Sequence, residues 1–154
     1  MKTLLTFFFV FTAFFAFSQK GVEISFKTDD GRLIKKDADI YTMSTFKIHG
    51  LKTQEEFDQL KKTALKNTNV AKFEYLAEAE PDGSRKAIAS FKNNEENVVF
   101  DFLKSINVKK ITINDDSFTM DQKEELKKYI KELKAKMKER TGERNKQKSI
   151  GSTN

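Results

Sequence analysis

The chain has 154 residues, 29 Lys and Arg, 23 Asp and Glu, and a formal net charge of +6, which allows one compact domain with extra segments. It contains no cysteine, which excludes disulfides, thiolate metal sites and cysteine nucleophiles. The charge is uneven, because residues 19–118 hold 17 basic and 17 acidic side chains whereas residues 119–154 hold 11 and 6. The domain therefore lacks the basic, aromatic-rich patch of a nucleic-acid-binding protein, and we predict no nucleic-acid partner.

Residues 1–18 predict a secretory signal peptide. Lys2 supplies a positive charge, residues 4–17 are nearly all apolar, and Ala16 and Ser18 are small residues at the −3 and −1 positions of a cleavage site. The alternative is an uncleaved anchor, but the apolar run is about 14 residues and a spanning helix needs roughly 20. We expect cleavage after Ser18, export to the periplasm or the extracellular space, and no stable membrane span in the mature chain.

Residues 19–39 predict an N-terminal β-hairpin. Residues 22–26 alternate apolar and polar side chains with period two, which is typical of a half-buried strand. Asp30 and Gly31 form a strong hairpin-turn signal, because glycine adopts a positive φ at little cost. Residues 32–36 would then be the return strand.

Residues 40–114 follow the order strand, helix, strand, strand, helix, strand. The predicted strands are 40–48, 70–77, 85–91 and 108–113, and the predicted helices are 54–66 and 95–106. This order predicts an α+β protein with a ferredoxin-like βαββαβ sandwich, in which two helices cover one face of an antiparallel four-stranded sheet. The N-terminal hairpin and a long C-terminal helix complete the predicted architecture.

The junction before the first helix carries the single histidine of the chain, His49. Gly50 ends the strand, and Thr53 stands three residues before Glu56, which is the spacing of a capping box. His49 is a candidate metal ligand with Met43 or Glu56 as a conceivable partner. We favour a structural role for it as a polar residue at a strand end, because a metal site needs three or four convergent ligands.

The same junction resembles a known family. Residues 49–56 (HGLKTQEE) are similar to the G-M-x-C-x-x-C loop of heavy-metal-associated domains, which are small copper and zinc carriers, and residues 57–65 and 69–73 continue the match. The resemblance implies the ferredoxin-like fold. Thr53 and Glu56 stand where the family has its two metal-binding cysteines, and a hydroxyl with a carboxylate cannot replace two thiolates around a soft ion. We therefore expect the fold of the family without its metal site.

Residues 117–145 predict a long C-terminal helix. Its apolar residues recur at 4-3-4 spacing and form a narrow stripe of candidate interaction residues: Leu126, Ile130, Leu133 and Met137. Together with Tyr129 this stripe favours docking onto the protein's own domain, whereas a dimer or a partner-binding stripe is the alternative. The excess lysines would then meet an acidic surface, or are simply solvated. Residues 146–154 are polar and predict a disordered tail.

The sequence contains neither a Gly-x-Ser-x-Gly nucleophile motif nor a Gly-rich phosphate loop. Our leading hypothesis is an exported, non-catalytic binding or interaction module without a cofactor. Its partner would be an unknown protein, or a second copy bound through the C-terminal helix. The alternative is a metal-binding or metal-transfer protein that uses His49 with methionine or carboxylate ligands. An enzyme with its site in the N-terminal hairpin region is a third hypothesis.

Overall fold

The computed structural model describes residues 21–37, 41–93 and 95–150. The predicted signal peptide and its cleavage site lie outside these ranges. The elements are β1 (Val22–Phe26), β2 (Lys35–Asp37), β3 (Tyr41–His49), α1 (Gln54–Leu65), β4 (Val70–Tyr75), β5 (Arg85–Phe91), α2 (Glu96–Ser105), β6 (Val108–Ile113), β7 (Asp116–Thr119) and α3 (Lys123–Ile150). The protein is α+β, as predicted. Within the described ranges, none of the helices has the length and apolar character needed to cross a bilayer.

The strands form one mixed sheet in the order β4-β5-β3-β1-β6-β7, and β2 pairs with β3 off this path. Strands β1 and β6 run parallel, and the other neighbours run antiparallel. The predicted strand and helix order from β3 to β6 is present. The sheet is nevertheless larger than the predicted four-stranded one, because β1 lies between β3 and β6 and β7 extends the far edge.

The N-terminal strand does not form the predicted hairpin. Ile24 of β1 is opposite Ile48 of β3 on one side and opposite Ile111 of β6 on the other. The segment after Gly31 reaches the sheet separately, where Lys35 of β2 pairs with Met43 of β3. A central position satisfies the backbone hydrogen bonds on both edges of β1, whereas a hairpin would satisfy only one edge.

The core lies between one face of the sheet and the helices. Phe102 of α2 is its centre, with ring centroids 6.1 Å from Phe46, 5.9 Å from Phe73 and 5.4 Å from Phe91. Tilted and edge-on aromatic pairs of this kind add about 0.5–1.5 kcal/mol each beyond the area they bury. The alternate side chains of β3, such as Thr45, point to the other face and are exposed or half-buried.

The C-terminal helix begins and ends later along the chain than predicted, because residues 117–119 belong to strand β7. It runs from Lys123 through Ile150, so residues 146–150 of the predicted disordered tail are helical, whereas residues 151–154 lie outside the described ranges. Strand β7 (Asp116–Thr119) was not predicted from the sequence. Asn114 does turn the chain, with a φ of 56°, and a short hairpin with β6 follows.

Candidate functional site

His49 lies on the sheet face opposite the core, at the end of β3. Its Nε2 atom is 2.7 Å from the hydroxyl of Ser25, which is on the neighbouring strand. Glu23 is directly opposite His49 in the strand register, and the Glu23 carboxylate pairs with Lys110 at 3.4 Å. His49 is thus half-buried and hydrogen-bonded to the neighbouring strand, and the Glu23–Lys110 ion pair is a separate surface contact.

The structure does not bring the conceivable metal ligands together. Met43 is six residues from His49 on the same strand, a separation of about 20 Å. Glu56 accepts hydrogen bonds from the backbone amides of Lys52 and Thr53. Among the described residues, no three or more histidine, cysteine, aspartate or glutamate side chains cluster as a metal site would require.

The capping box at the start of α1 is confirmed. The Thr53 hydroxyl accepts a hydrogen bond from the amide of Glu56 at 3.2 Å, and the Glu56 carboxylate accepts one from the amide of Thr53 at 3.0 Å. Thr53 and Glu56 therefore satisfy amide groups at a helix terminus.

The C-terminal helix docks onto the domain through its first half. Leu126 and Ile130 are 1% and 5% exposed and belong to the core, and Leu133 packs against the core from a half-buried position. The Tyr129 ring lies 5.3 Å from the ring of Phe118. The preferred prediction, docking onto the protein's own domain, matches this arrangement.

The same docking corrects part of the predicted interaction stripe. Leu126 cannot contact a partner while α3 is docked, because the core already covers it, and Ile130 keeps only its 5% exposed edge, which lines a groove beside α2. Leu133 is half-buried against the core, and Met137 is half-buried outside the core cluster. The nearby Asp116 carboxylate of β7 raises the pKa of Tyr129.

The turn at Gly31 packs directly against α3. Gly31 has a φ of 68°, and a Cβ atom added there would lie 2.9 Å from the carbonyl oxygen of Ile130 and 2.9 Å from the Cβ of Leu133. Asp30 fixes the turn by accepting a hydrogen bond from the amide of Arg32 at 3.0 Å. That amide is the main cause that lowers the pKa of Asp30. The Asp-Gly signal therefore marks a close approach to a helix and not a hairpin.

A row of lysines on α3, which we call the lysine stripe, was missed by the sequence reasoning. Its members follow one another at 4-4-3-4 spacing: Lys123, Lys127, Lys131, Lys134 and Lys138. This spacing places them on one side of a helix, so the stripe could have been predicted from the sequence. The apolar residues were instead predicted to form the interaction stripe, and the lysines were interpreted as a solvated face.

The lysine stripe borders a groove between α2 and α3. The groove has a volume of about 270 Å³ and is lined by Asn97, Phe100, Lys127, Ile130, Lys131 and Lys134. The ammonium group of Lys123 lies 5.5 Å from the centre of the Phe100 ring, within cation–π range. Lys127 pairs with Glu124 at 3.2 Å, and Glu124 is 85% exposed, so this ion pair contributes little to stability.

The net positive charge lies in the part of α3 that follows the residues packed against the core. Residues 19–133 hold equal numbers of basic and acidic side chains, 21 of each, whereas residues 134–150 hold seven basic and two acidic ones. Leu133 is the last residue of α3 that packs against the core in the described part of the chain. We call residues 134–150 the cationic arm.

No protein-family model matches this chain, and no curated protein or solved structure shows detectable similarity to it. The resemblance to heavy-metal-associated domains therefore stays a prediction that rests on the sequence pattern of residues 49–65 and 69–73.

Proposed function

We propose that this protein is an exported, non-catalytic interaction module whose cationic arm binds an acidic surface of a partner protein. The observation that carries the proposal is the charge boundary at Leu133: the docked domain is neutral and the arm has a net charge of +5. If the lysines served only to solvate the surface, the excess positive charge would be spread over the whole domain. Here the excess charge is confined to the part of α3 that lies beyond the core contacts.

The arm has the dimensions of a protein-binding helix. Its 17 residues extend about 26 Å at the helical rise of 1.5 Å per residue. Clustered charge of one sign accelerates encounter with an oppositely charged partner and favours that partner over like-charged ones. Lys136, Lys138 and Arg140 are exposed and so available for such contacts.

The composition of the arm favours an acidic protein over other polyanions. Ala135, Met137 and Ile150 are its only apolar residues apart from Gly142, so it has no continuous apolar face to insert into a lipid surface. It contains no aromatic residue on which a nucleobase could stack.

We further propose that the scaffold is a ferredoxin-like unit enlarged at both ends. The unit would consist of β3, α1, β4, β5, α2 and β6, with β1 inserted between β3 and β6 and β7 added at the edge. In this interpretation the two added strands and the turn at Gly31 serve to hold α3 in position against the domain. The predicted signal peptide supports the proposal of export.

The arm hypothesis is tested by comparing the mature chain, residues 19–154, with a variant that ends after Leu133. The probe is a fluorescently labelled polyglutamate peptide, and the readout is fluorescence anisotropy at two salt concentrations. We expect the shortened variant to bind at least about tenfold more weakly, and we expect added salt to weaken the longer chain more.

The shortened variant keeps the residues that pack against the core, so its thermal stability serves as the control for folding. Equal binding of polyglutamate by the two chains, both folded, would remove the support for the arm as an interaction element.

A further inference from the structure

Resting on the proposed function, we infer that the partner presents an acidic peptide segment with an apolar anchor residue. This segment binds along the lysine stripe and places its anchor in the groove between α2 and α3. The inference joins two features that the proposed function does not use: the regular spacing of the five lysines, and the apolar floor beside them.

The lysine stripe is narrow and continuous. At 100° per residue, its five lysines fall within about 80° of one another around α3. The apolar residues that dock the helix, such as Leu126 and Ile130, occupy the adjacent side. From Lys123 to Lys138 the stripe spans about 22 Å, so it runs from the docked half of α3 onto the cationic arm. A bound segment would therefore contact both the domain and the arm.

The groove fits one side chain. Its volume of about 270 Å³ is below the range of roughly 300–1,000 Å³ that is usual for drug-sized ligands and cofactors. Phe100 and Ile130 supply its apolar floor, and lysines supply its rim. An apolar anchor in a pocket surrounded by charged contacts is the usual arrangement of an energetically dominant interface residue.

The lysines at the rim can exchange their present contacts for a partner carboxylate at small cost. The Lys127 to Glu124 pair is exposed, and exposed pairs of this kind contribute only about 0–1 kcal/mol. Lys131 is exposed on the rim as well. A partner carboxylate near these two ammonium groups would be more strongly held than in open water, because the apolar floor reduces the local dielectric.

A charge-matched pair of double variants tests the inference. The groove variant is Lys127→Glu with Lys131→Glu, and the control variant is Lys62→Glu with Lys128→Glu, which makes the same change of net charge at exposed lysines outside the lysine stripe and the cationic arm. The probes are two labelled glutamate-rich peptides that differ only in a central residue, leucine in one and serine in the other.

We expect the unmodified mature protein to prefer the leucine peptide by roughly tenfold. The groove variant should bind the leucine peptide roughly tenfold more weakly and should lose the preference for leucine. The control variant should keep the preference and lose about threefold or less in affinity. A second groove variant, Lys127→Gln with Lys131→Gln, repeats the test without introducing new acidic groups, and circular dichroism melts verify the fold of each variant.

Equal effects of the groove and control variants, or no preference for leucine, would overturn the inference. Tighter binding of a sulfated polysaccharide or of anionic phospholipid vesicles than of the leucine peptide would overturn it as well. If ending the chain after Leu133 abolishes peptide binding while the groove variant binds normally, the proposed function stands and this inference fails. If neither change has an effect, both fail.

Discussion

Replacement of Gly31 by alanine should weaken the packing of α3 against this turn. Gly83→Ala is the matched control. Both glycines have a positive φ, 68° and 78° respectively, so both substitutions force an L-residue into the left-handed region. This conformational cost is about 1–2 kcal/mol. At Gly83 nothing lies within 4 Å of the added Cβ, so no further cost arises there.

At Gly31 the new methyl group meets a backbone carbonyl and a neighbouring side chain. The added Cβ would lie 2.9 Å from the oxygen of Ile130 and 2.9 Å from the Cβ of Leu133, and both must move to admit it. Overpacking of a tight contact costs a further 1–3 kcal/mol approximately. We therefore expect Gly31→Ala to lower the free energy of unfolding by about 2–5 kcal/mol and Gly83→Ala by about 1–2 kcal/mol.

Urea denaturation measures both differences, and limited trypsin digestion locates them. The first half of α3 contains several lysines, and docking should protect them from cleavage. Gly31→Ala should accelerate cleavage within the first half of α3, whereas Gly83→Ala should leave that cleavage unchanged. If both variants lose the same stability, and α3 is cut at the same rate in both, the turn at Gly31 does not support the helix.

Three further predictions concern the core, the acid limit of stability and metal binding. Leu126→Ala should cost about 2–5 kcal/mol in urea denaturation, and Met137→Ala less than about 1 kcal/mol, because only Leu126 is fully buried; similar losses would contradict the docking of α3. The amide of Arg32 lowers the pKa of Asp30 in the folded state, so its contribution to stability is complete above about pH 4 and is lost as the pH falls below it. Asp30→Asn should therefore flatten the decline of the urea midpoint between about pH 5 and pH 3, and an unchanged decline would contradict this. Titration with Zn²⁺ or Cu²⁺ should give the same weak binding before and after His49→Ala; submicromolar binding that this substitution abolishes would instead favour the metal hypothesis.

The sequence predicted best those elements whose ends carry strong local signals. The strands Arg85–Phe91 and Val108–Ile113 have the predicted bounds, because turn residues flank them closely. The capping box of Thr53 and Glu56 fixed the start of α1, because its two hydrogen bonds need only residues three positions apart.

The placement of β1 in the sheet could not be predicted from such local signals. Alternation with period two shows which face of a strand is buried, but it does not show which strands lie beside it. The Asp-Gly turn made a hairpin the nearest local solution. The same positive φ also lets a backbone approach another element closely, and Gly31 is used for that purpose against α3.

Part of the candidate site could be predicted from the sequence. The charge imbalance and the apolar stripe of α3 were both noted, and the lysine spacing was available in the same residues. The groove was not visible, because its floor comes partly from Phe100 on α2, and only the packing of α3 beside α2 brings that ring next to Lys127 and Lys131. Contacts between distant helices depend on tertiary packing, which local periodicity does not encode.

The docked half of α3 also makes the cationic arm a helix. The arm's 17 residues are close to the length at which an isolated helix is marginal, and Gly142 within it costs about 1 kcal/mol relative to alanine. Its helix is therefore expected to depend on nucleation by the preceding turns, which Leu126 and Ile130 hold against the core. Loss of docking would then unfold the arm and disperse the lysine stripe together. If the arm binds as proposed, variants at Gly31 should weaken partner binding although the turn itself contacts no partner.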